Sequence, residues 1–240
     1  MKSISTTSNE TFSQKLIHKF HLSEQLNIIR AGVLGANDGI VSVAGIVLGV
    51  AGAQQSQTAL FIAGISGMFA GALSMGGGEY ISVSTQRDTQ KTMTQIQRQS
   101  LKEDYDGELA RLTNHYENEG LTTSLATEVA TQLMENDPLT VTLKSKCNIE
   151  LQHYFNPWHA AISSFFSFII GSLLPLLAIT LIPYPYKVIG TITAVVLAMA
   201  FTGYISSSLG NSDRIKGVLR NVLVGVGTMA VTYLIGGSLG

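Results

Sequence analysis

Ala31-Gly-Val-Leu-Gly-Ala-Asn-Asp-Gly-Ile-Val-Ser-Val-Ala-Gly-Ile-Val-Leu-Gly-Val-Ala-Gly-Ala53 contains a single charged residue, Asp38. As a helix this stretch rises about 34 Å, enough to cross a hydrocarbon layer of ~30 Å. A soluble protein of ordinary composition carries about 25% charged residues, whereas this chain carries 13% and has a positive mean hydropathy. The stretch therefore reads as a membrane span.

Four further runs have the same character, from about Thr58 to Val83, Trp158 to Ile182, Val188 to Leu209 and Val218 to Leu239. Gln54 to Gln57 is a tight polar turn that makes the first two spans an antiparallel hairpin. Pro183-Tyr-Pro-Tyr186 joins spans three and four, and Gly210-Asn-Ser-Asp213 joins four and five. From Thr85 to Asn156 the character changes, for that stretch holds 11 of the 16 acids and seven of the 15 Lys and Arg residues. Its apolar residues recur at helical spacing (Leu109, Leu112, Tyr116; Leu125, Val129, Leu133). Gly120 stops one helix, Thr122 to Ser124 starts the next, and Asn136-Asp-Pro138 breaks it before a third. The expected fold class is all-α, a multi-pass membrane protein with five transmembrane helices and a cytoplasmic helical domain inserted between helices two and three. The expected divisions are an N-terminal segment 1–29, helices one and two in 30–87, the inserted domain in 88–156, and helices three to five in 157–240.

Residues 1–29 are polar and lack the pattern of a cleaved signal, so the first span is expected to be retained. Lys and Arg concentrate on one side, which sets orientation. Four precede or open span one, seven lie in the insert and three lie around the fourth-to-fifth connection, against Lys187 alone opposite. The N-terminus and the insert are thus expected in the cytoplasm. A net charge of −1 gives no reason to expect nucleic acid as a partner. The lone Cys147 excludes an intramolecular disulfide framework and any multi-cysteine metal site.

Charges inside a bilayer are costly and mark function. Only Asp38 and Glu79 among the acids fall within spans. Asp38 lies about 12 Å from the cytoplasmic end of span one, and Glu79 lies four to eight residues into the antiparallel span two. Met75 and Glu79 are four apart and share a helix face. Asp38, Met75 and Glu79 can therefore meet at one depth, with Asn37 as a neutral oxygen donor beside Asp38. The bland alternatives are an Asp bonded to a neighbouring helix, a Glu snorkelling to water and a Met that merely packs. Carboxylates joined by a thioether suit a borderline divalent ion such as Fe²⁺, Mn²⁺, Co²⁺ or Zn²⁺. Cation entry between carboxylates competes with protons, which suggests metal–proton antiport. The glycine pairs Gly35/Gly39, Gly45/Gly49 and Gly67/Gly71 allow close helix approach, Gly76-Gly-Gly78 could loosen span two, and Pro175 is expected to kink span three.

Arg30-Ala-Gly-Val-Leu-Gly-Ala-Asn-Asp-Gly-Ile-Val-Ser42 resembles the first-helix signature of the vacuolar iron transporter family. Gly71-Ala-Leu-Ser-Met-Gly-Gly-Gly-Glu-Tyr-Ile-Ser-Val-Ser-Thr-Gln-Arg87 resembles its second-helix signature, and Asn156-Pro-Trp158 with the Gly-rich last span also fits. The resemblance implies a homodimer of five-helix subunits with a cytoplasmic three-helix domain and an ion path between the subunits. It implies export of Fe²⁺, and in some members Mn²⁺, from the cytosol in exchange for protons. Asp38 and Met75 match the family's membrane ion-site residues, and Glu79 matches its second-helix carboxylate. No cofactor is implied beyond the transported ion and its counter-ion, the proton.

One departure concerns the cytoplasmic domain, where the family gathers metal through glutamates on its first and third helices. Here Thr89-Gln-Lys-Thr-Met-Thr-Gln-Ile-Gln-Arg-Gln-Ser100 has no acid, Arg111 stands for another, and Lys144-Ser-Lys146 occupies the expected acidic position. Only Glu108 is clearly retained as a candidate metal ligand, beside Glu103, Asp104 and Asp106. Metal capture by this domain is expected to be weakened or lost, with the surviving acids on a solvated surface. His115, His153 and His159 are not paired at helical spacing, and His18 and His21 form only a weak pair. The leading expectation is a proton-coupled exporter of Fe²⁺ or Mn²⁺ and not an enzyme, since the spans hold no Ser–His pair or zinc-protease motif. The alternative is a non-transporting membrane scaffold or metal-responsive regulator. The compact chain suits a bacterial inner membrane.

Overall fold

The structure, a computed structural model, describes residues 12–147 and 156–240, with side chains from Asn27 onward in the first segment. Among the described residues it is all-helical, with eight helices and no strand. They are α1 (Phe12–Gly52), α2 (Gln57–Glu103), α3 (Tyr105–Asn118), α4 (Thr123–Asn136), α5 (Pro138–Cys147), α6 (Pro157–Leu181), α7 (Lys187–Leu209) and α8 (Arg214–Leu239). Five of these, α1, α2, α6, α7 and α8, are long and apolar enough to cross a membrane. Each holds one of the five runs read from hydropathy, to within one residue at the run's end. The chain is an integral, multi-pass membrane protein.

Two compact units form, one from Met1–Ile81 with Pro157–Gly240 and the other from Ser82–Asn156. In the first, α1 is the most buried span and α8 the least. Ile40, Val43, Ala44, Val47 and Leu48 of α1 form one core with Leu60, Met68 and Ala72 of α2, Phe168, Leu176 and Ile179 of α6, Val195 and Met199 of α7, and Met229 of α8. Lipid tails are as apolar as leucine, so close packing and interhelical hydrogen bonds hold such a bundle, not expulsion of water. The glycines of α1 supply the closest approaches. A Cβ on Gly39 would lie 2.2 Å from the Phe168 carbonyl oxygen of α6, and one on Gly171 would lie 2.2 Å from that of Ala36. Gly45 and Gly49 meet Thr228 and Thr232 of α8 instead. Ser172 Oγ donates to Phe168 O at 2.7 Å and sits 3.2 Å from Gly39 O, while Ser163 Oγ donates to Ile28 O at 3.0 Å.

Gly171→Ala is accordingly expected to cost about 1–3 kcal/mol, because a backbone oxygen cannot step aside as a side-chain tip can. Gly77→Ala, with nothing within 4 Å of the new methyl, should leave the melting temperature of the purified protein no lower. Equal melting temperatures for the two variants would refute the backbone-contact account.

α2 runs unbroken through Gly76-Gly77-Gly78. Helix α6 likewise continues across Pro175, which is buried. At the opposite end Gln57 ties α2 to its neighbours, donating to Thr180 O of α6 at 3.1 Å and accepting from Lys187 Nζ of α7. Asp213, an acid outside the spans, has a structural use, for its Oδ1 accepts the backbone N–H groups of Ile215 and Lys216 and caps α8. In the second unit Gly120 has φ +100 between α3 and α4, where a left-handed residue lets the chain reverse. Leu112 of α3 packs there with Ala130 and Met134 of α4, joined by Val141 of α5.

Candidate cation site

Asp38 and Asn37 are adjacent in sequence and so point about 100° apart around α1. The structure uses both directions. Asp38 faces α2, where it lines a groove of about 530 Å³ together with Ser42, Ser74, Met75, Gly78 and Glu79. This groove unites three of the residues singled out from sequence. Small residues of α2, among them Gly67, Ala70, Gly71 and Gly78, leave its space open. Its floor includes Ile46 and Phe168, so the polar groups sit in an apolar frame.

Ser42, one helical turn after Asp38, donates its hydroxyl to Asp38 Oδ1 at 2.6 Å. That bond fixes the carboxylate's orientation and leaves Oδ2 for another partner. At the other end of the groove Glu79 accepts from Arg30 at 3.2 Å across the helix pair. Neither Ser42 nor Arg30 was singled out as a site residue. The first carries a signal in its i, i+4 spacing from Asp38, whereas Arg30 could be read only as an orienting charge.

Asn37 does not join the groove. Its Oδ1 accepts from Thr202 Oγ1 of α7 at 3.1 Å and from Asn221 Nδ2 of α8 at 3.0 Å. These three residues form a polar tie among α1, α7 and α8, and Asn37 and Asn221 line a separate cavity of about 350 Å³ with Arg30 and Ser206. Asn37→Ala is expected to lower thermal stability, by about 1–2 kcal/mol for two lost acceptor contacts, with unchanged cation affinity. A loss of affinity at unchanged stability would reverse that assignment.

Glu108 belongs to the second unit and is buried, not on a solvated surface as expected from sequence. Its carboxylate accepts from Gln97 Nε2 at 3.0 Å, Ser100 Oγ at 2.6 Å and Arg111 at 2.8 Å, and Lys146 Nζ lies 2.6 Å away. Burial by itself would raise its pKa. The hydrogen bonds from Lys146, Ser100 and Gln97, together with the charge of Lys146, outweigh burial and lower it to about 2. Four donors, two of them cationic, already use the lone pairs that a metal would need. Asp104 is also engaged, capping α3 through Gly107 N and accepting from Arg111. Among the described residues no group of three His, Cys, Asp or Glu side chains is placed to hold a metal ion. His18, His21 and His153 lie outside the residues whose side chains are described. His115 stands edge-on to Tyr116.

Taken together, five apolar helices and a carboxylate–thioether groove within them define a polytopic membrane protein with an ionisable intramembrane site. The sequence profile of the VIT family matches residues 29–237, nearly the whole bundle and the second unit. This chain belongs to that family. It is 38% identical over 209 residues to a "Vacuolar iron transporter" of Acanthamoeba castellanii, covering 87% of this chain and 77% of that protein. It is 32% identical to "Vacuolar iron transporter homolog 4" of Arabidopsis thaliana, with 89% and 85% covered. It is 33% identical to "Vacuolar iron transporter homolog 1" of Oryza sativa subsp. japonica, with 85% and 71% covered. The family is one of metal-ion transporters. These three relatives are eukaryotic and all carry the word vacuolar in their names, so they lend no support to a bacterial inner membrane.

Proposed function

We propose that the protein exports Fe²⁺ or Mn²⁺ from the cytosol in exchange for protons, with Asp38, Met75 and Glu79 holding the ion in transit. The observation that carries this reading is the meeting of two carboxylates and a thioether in one groove between antiparallel spans. Oxygen donors attract hard divalent ions, and the polarisable sulfur favours transition metals over Mg²⁺ and Ca²⁺. One chain supplies only three such groups. In the homodimer we propose, a second copy apposed at α1 and α2 would double the set. The Lys and Arg distribution supports a cytoplasmic N-terminus and a cytoplasmic second unit inserted between α2's membrane span and α6.

The test is metal uptake into proteoliposomes that hold a pH dye, comparing Fe²⁺, Mn²⁺, Co²⁺ and Zn²⁺ with Mg²⁺. Uptake of Fe²⁺ or Mn²⁺ with matching proton movement is expected. Uptake without proton movement would remove the antiport step. Absence of flux of any ion through folded protein would favour a scaffold or regulator.

A further inference from the structure

We infer that Arg30 is a tethered cation that occupies Glu79 until a divalent ion displaces it, and so sets the threshold at which the groove loads. The inference rests on the transport reading of the groove. Arg30 lies on α1 two turns from Asp38, and its guanidinium bridges Glu79 Oε1 at 3.2 Å and Asn27 Oδ1 at 3.0 Å. The Glu79 side chain is 15% exposed and that of Arg30 58%. The carboxylate thus lies in the groove while its partner stands at the rim with freedom to leave.

Arg30 also has somewhere to go. It lines the second cavity, whose wall also offers the oxygens of Ser206 and Asn221, that of Asn37 being already taken by Thr202 and Asn221. A guanidinium carries five donors and no acceptor, so this oxygen-bearing wall can receive it. Between the two positions the same side chain either neutralises Glu79 or clears it.

Charge arithmetic gives the device a function. A monovalent ion arriving at Glu79 merely replaces one positive charge by another. A divalent ion arriving at Glu79 brings a second positive charge into a groove that also holds Asp38, and that extra attraction offsets the loss of the guanidinium contact. While Arg30 stays at Glu79, it repels any ion in the groove. Arg30 therefore acts through Glu79 as a positioning residue that raises the concentration of metal needed and penalises singly charged competitors.

The test is equilibrium binding of Mn²⁺ to the purified full-length protein, read from the spin-resonance signal of free Mn²⁺, with melting temperature and elution volume as checks of folding. Arg30→Gln is expected to bind Mn²⁺ about fivefold more tightly, the scale of a half-exposed ion pair. Arg30→Lys, which keeps the charge, should stay within about twofold of wild type. In a Glu79→Gln background the same Arg30→Gln change should have no further effect, a coupling that a merely structural arginine would not show. Should Arg30→Gln fail to fold, Asn27→Ala loosens the guanidinium without changing charge and is expected to tighten binding about twofold. Unchanged or weaker Mn²⁺ binding by these folded variants, or an effect that survives in Glu79→Gln, overturns the inference. Binding by wild type in that case leaves the transport reading standing. No Mn²⁺ binding by either wild type or Arg30→Gln overturns both.

Discussion

Asp38→Asn is expected to abolish metal uptake, by at least about a hundredfold, while the protein still folds and elutes as wild type does. The substitution keeps shape and keeps Oδ1 as the acceptor for Ser42, so the local helix geometry has no reason to change. What it removes is one of two carboxylate charges in the groove. Losing one charged partner of a desolvated ion costs roughly 3–5 kcal/mol, more than the ~2.8 kcal/mol that a hundredfold requires. The same flux assay with the pH dye reads metal and proton together. Uptake at wild-type rate in folded Asp38→Asn would eliminate the proposed site.

The second large effect concerns acid stability of the unit formed by Ser82–Asn156. Glu108 has a folded-state pKa of about 2 against 4.5 for an unperturbed glutamate. Because the folded value is the lower, its contribution is fully present above pH 4.5 and is lost as the pH falls from 4.5 toward 2. Lowering the carboxyl from 4.5 to about 2 corresponds to on the order of 3 kcal/mol. Amide hydrogen exchange in α3 and α5 of the full-length protein, corrected for intrinsic rates, should show protection falling through that window. Lys146→Met removes the nearest cation, at 2.6 Å. It is expected to cost about 1–3 kcal/mol at pH 7 and to move the loss of protection to higher pH. Protection independent of pH between 4.5 and 2 would show that the carboxylate network does not stabilise the unit. Chelators are expected to leave protection unchanged, since Lys146 and Arg111 already neutralise the carboxylate.

The number and order of the membrane helices were legible because bilayer thickness imposes a length on each apolar run. Gly120 and Pro138 marked helix ends for equally local reasons, one taking a positive φ and the other lacking an N–H. The groove was legible in part. Met75 and Glu79 share a face by spacing alone, and matched depth in antiparallel spans brings Asp38 to them. Asn37 shows where such reasoning stops, since depth along a helix says nothing about direction around it. Its partners Thr202 and Asn221 lie 165 and 184 residues away and could not be paired by pattern. Glu108 shows a second limit. Lys146 stands where an acid was expected, yet only the assembled helices place its ammonium against that carboxylate, and place the carboxylate indoors.

The glycine contacts also divide the helix seams around the Asp38–Glu79 groove into two mechanical kinds. Where α1 meets α6, backbone touches backbone at Gly39 and Gly171, and no rotamer change can relieve or widen that seam. Gly64, Gly67 and Gly71 of α2 instead face the side-chain tips of Leu176, Ile46 and Phe168, with Gly76 alone among the α2 glycines coming near a backbone oxygen, that of Ala161. Side-chain tips rearrange within nanoseconds, whereas a backbone seam moves only with its whole helix. The carboxylate of Asp38 is thus mounted on the post, and Met75 and Glu79 on the leaf of a door whose swing would change the separation of the two charges.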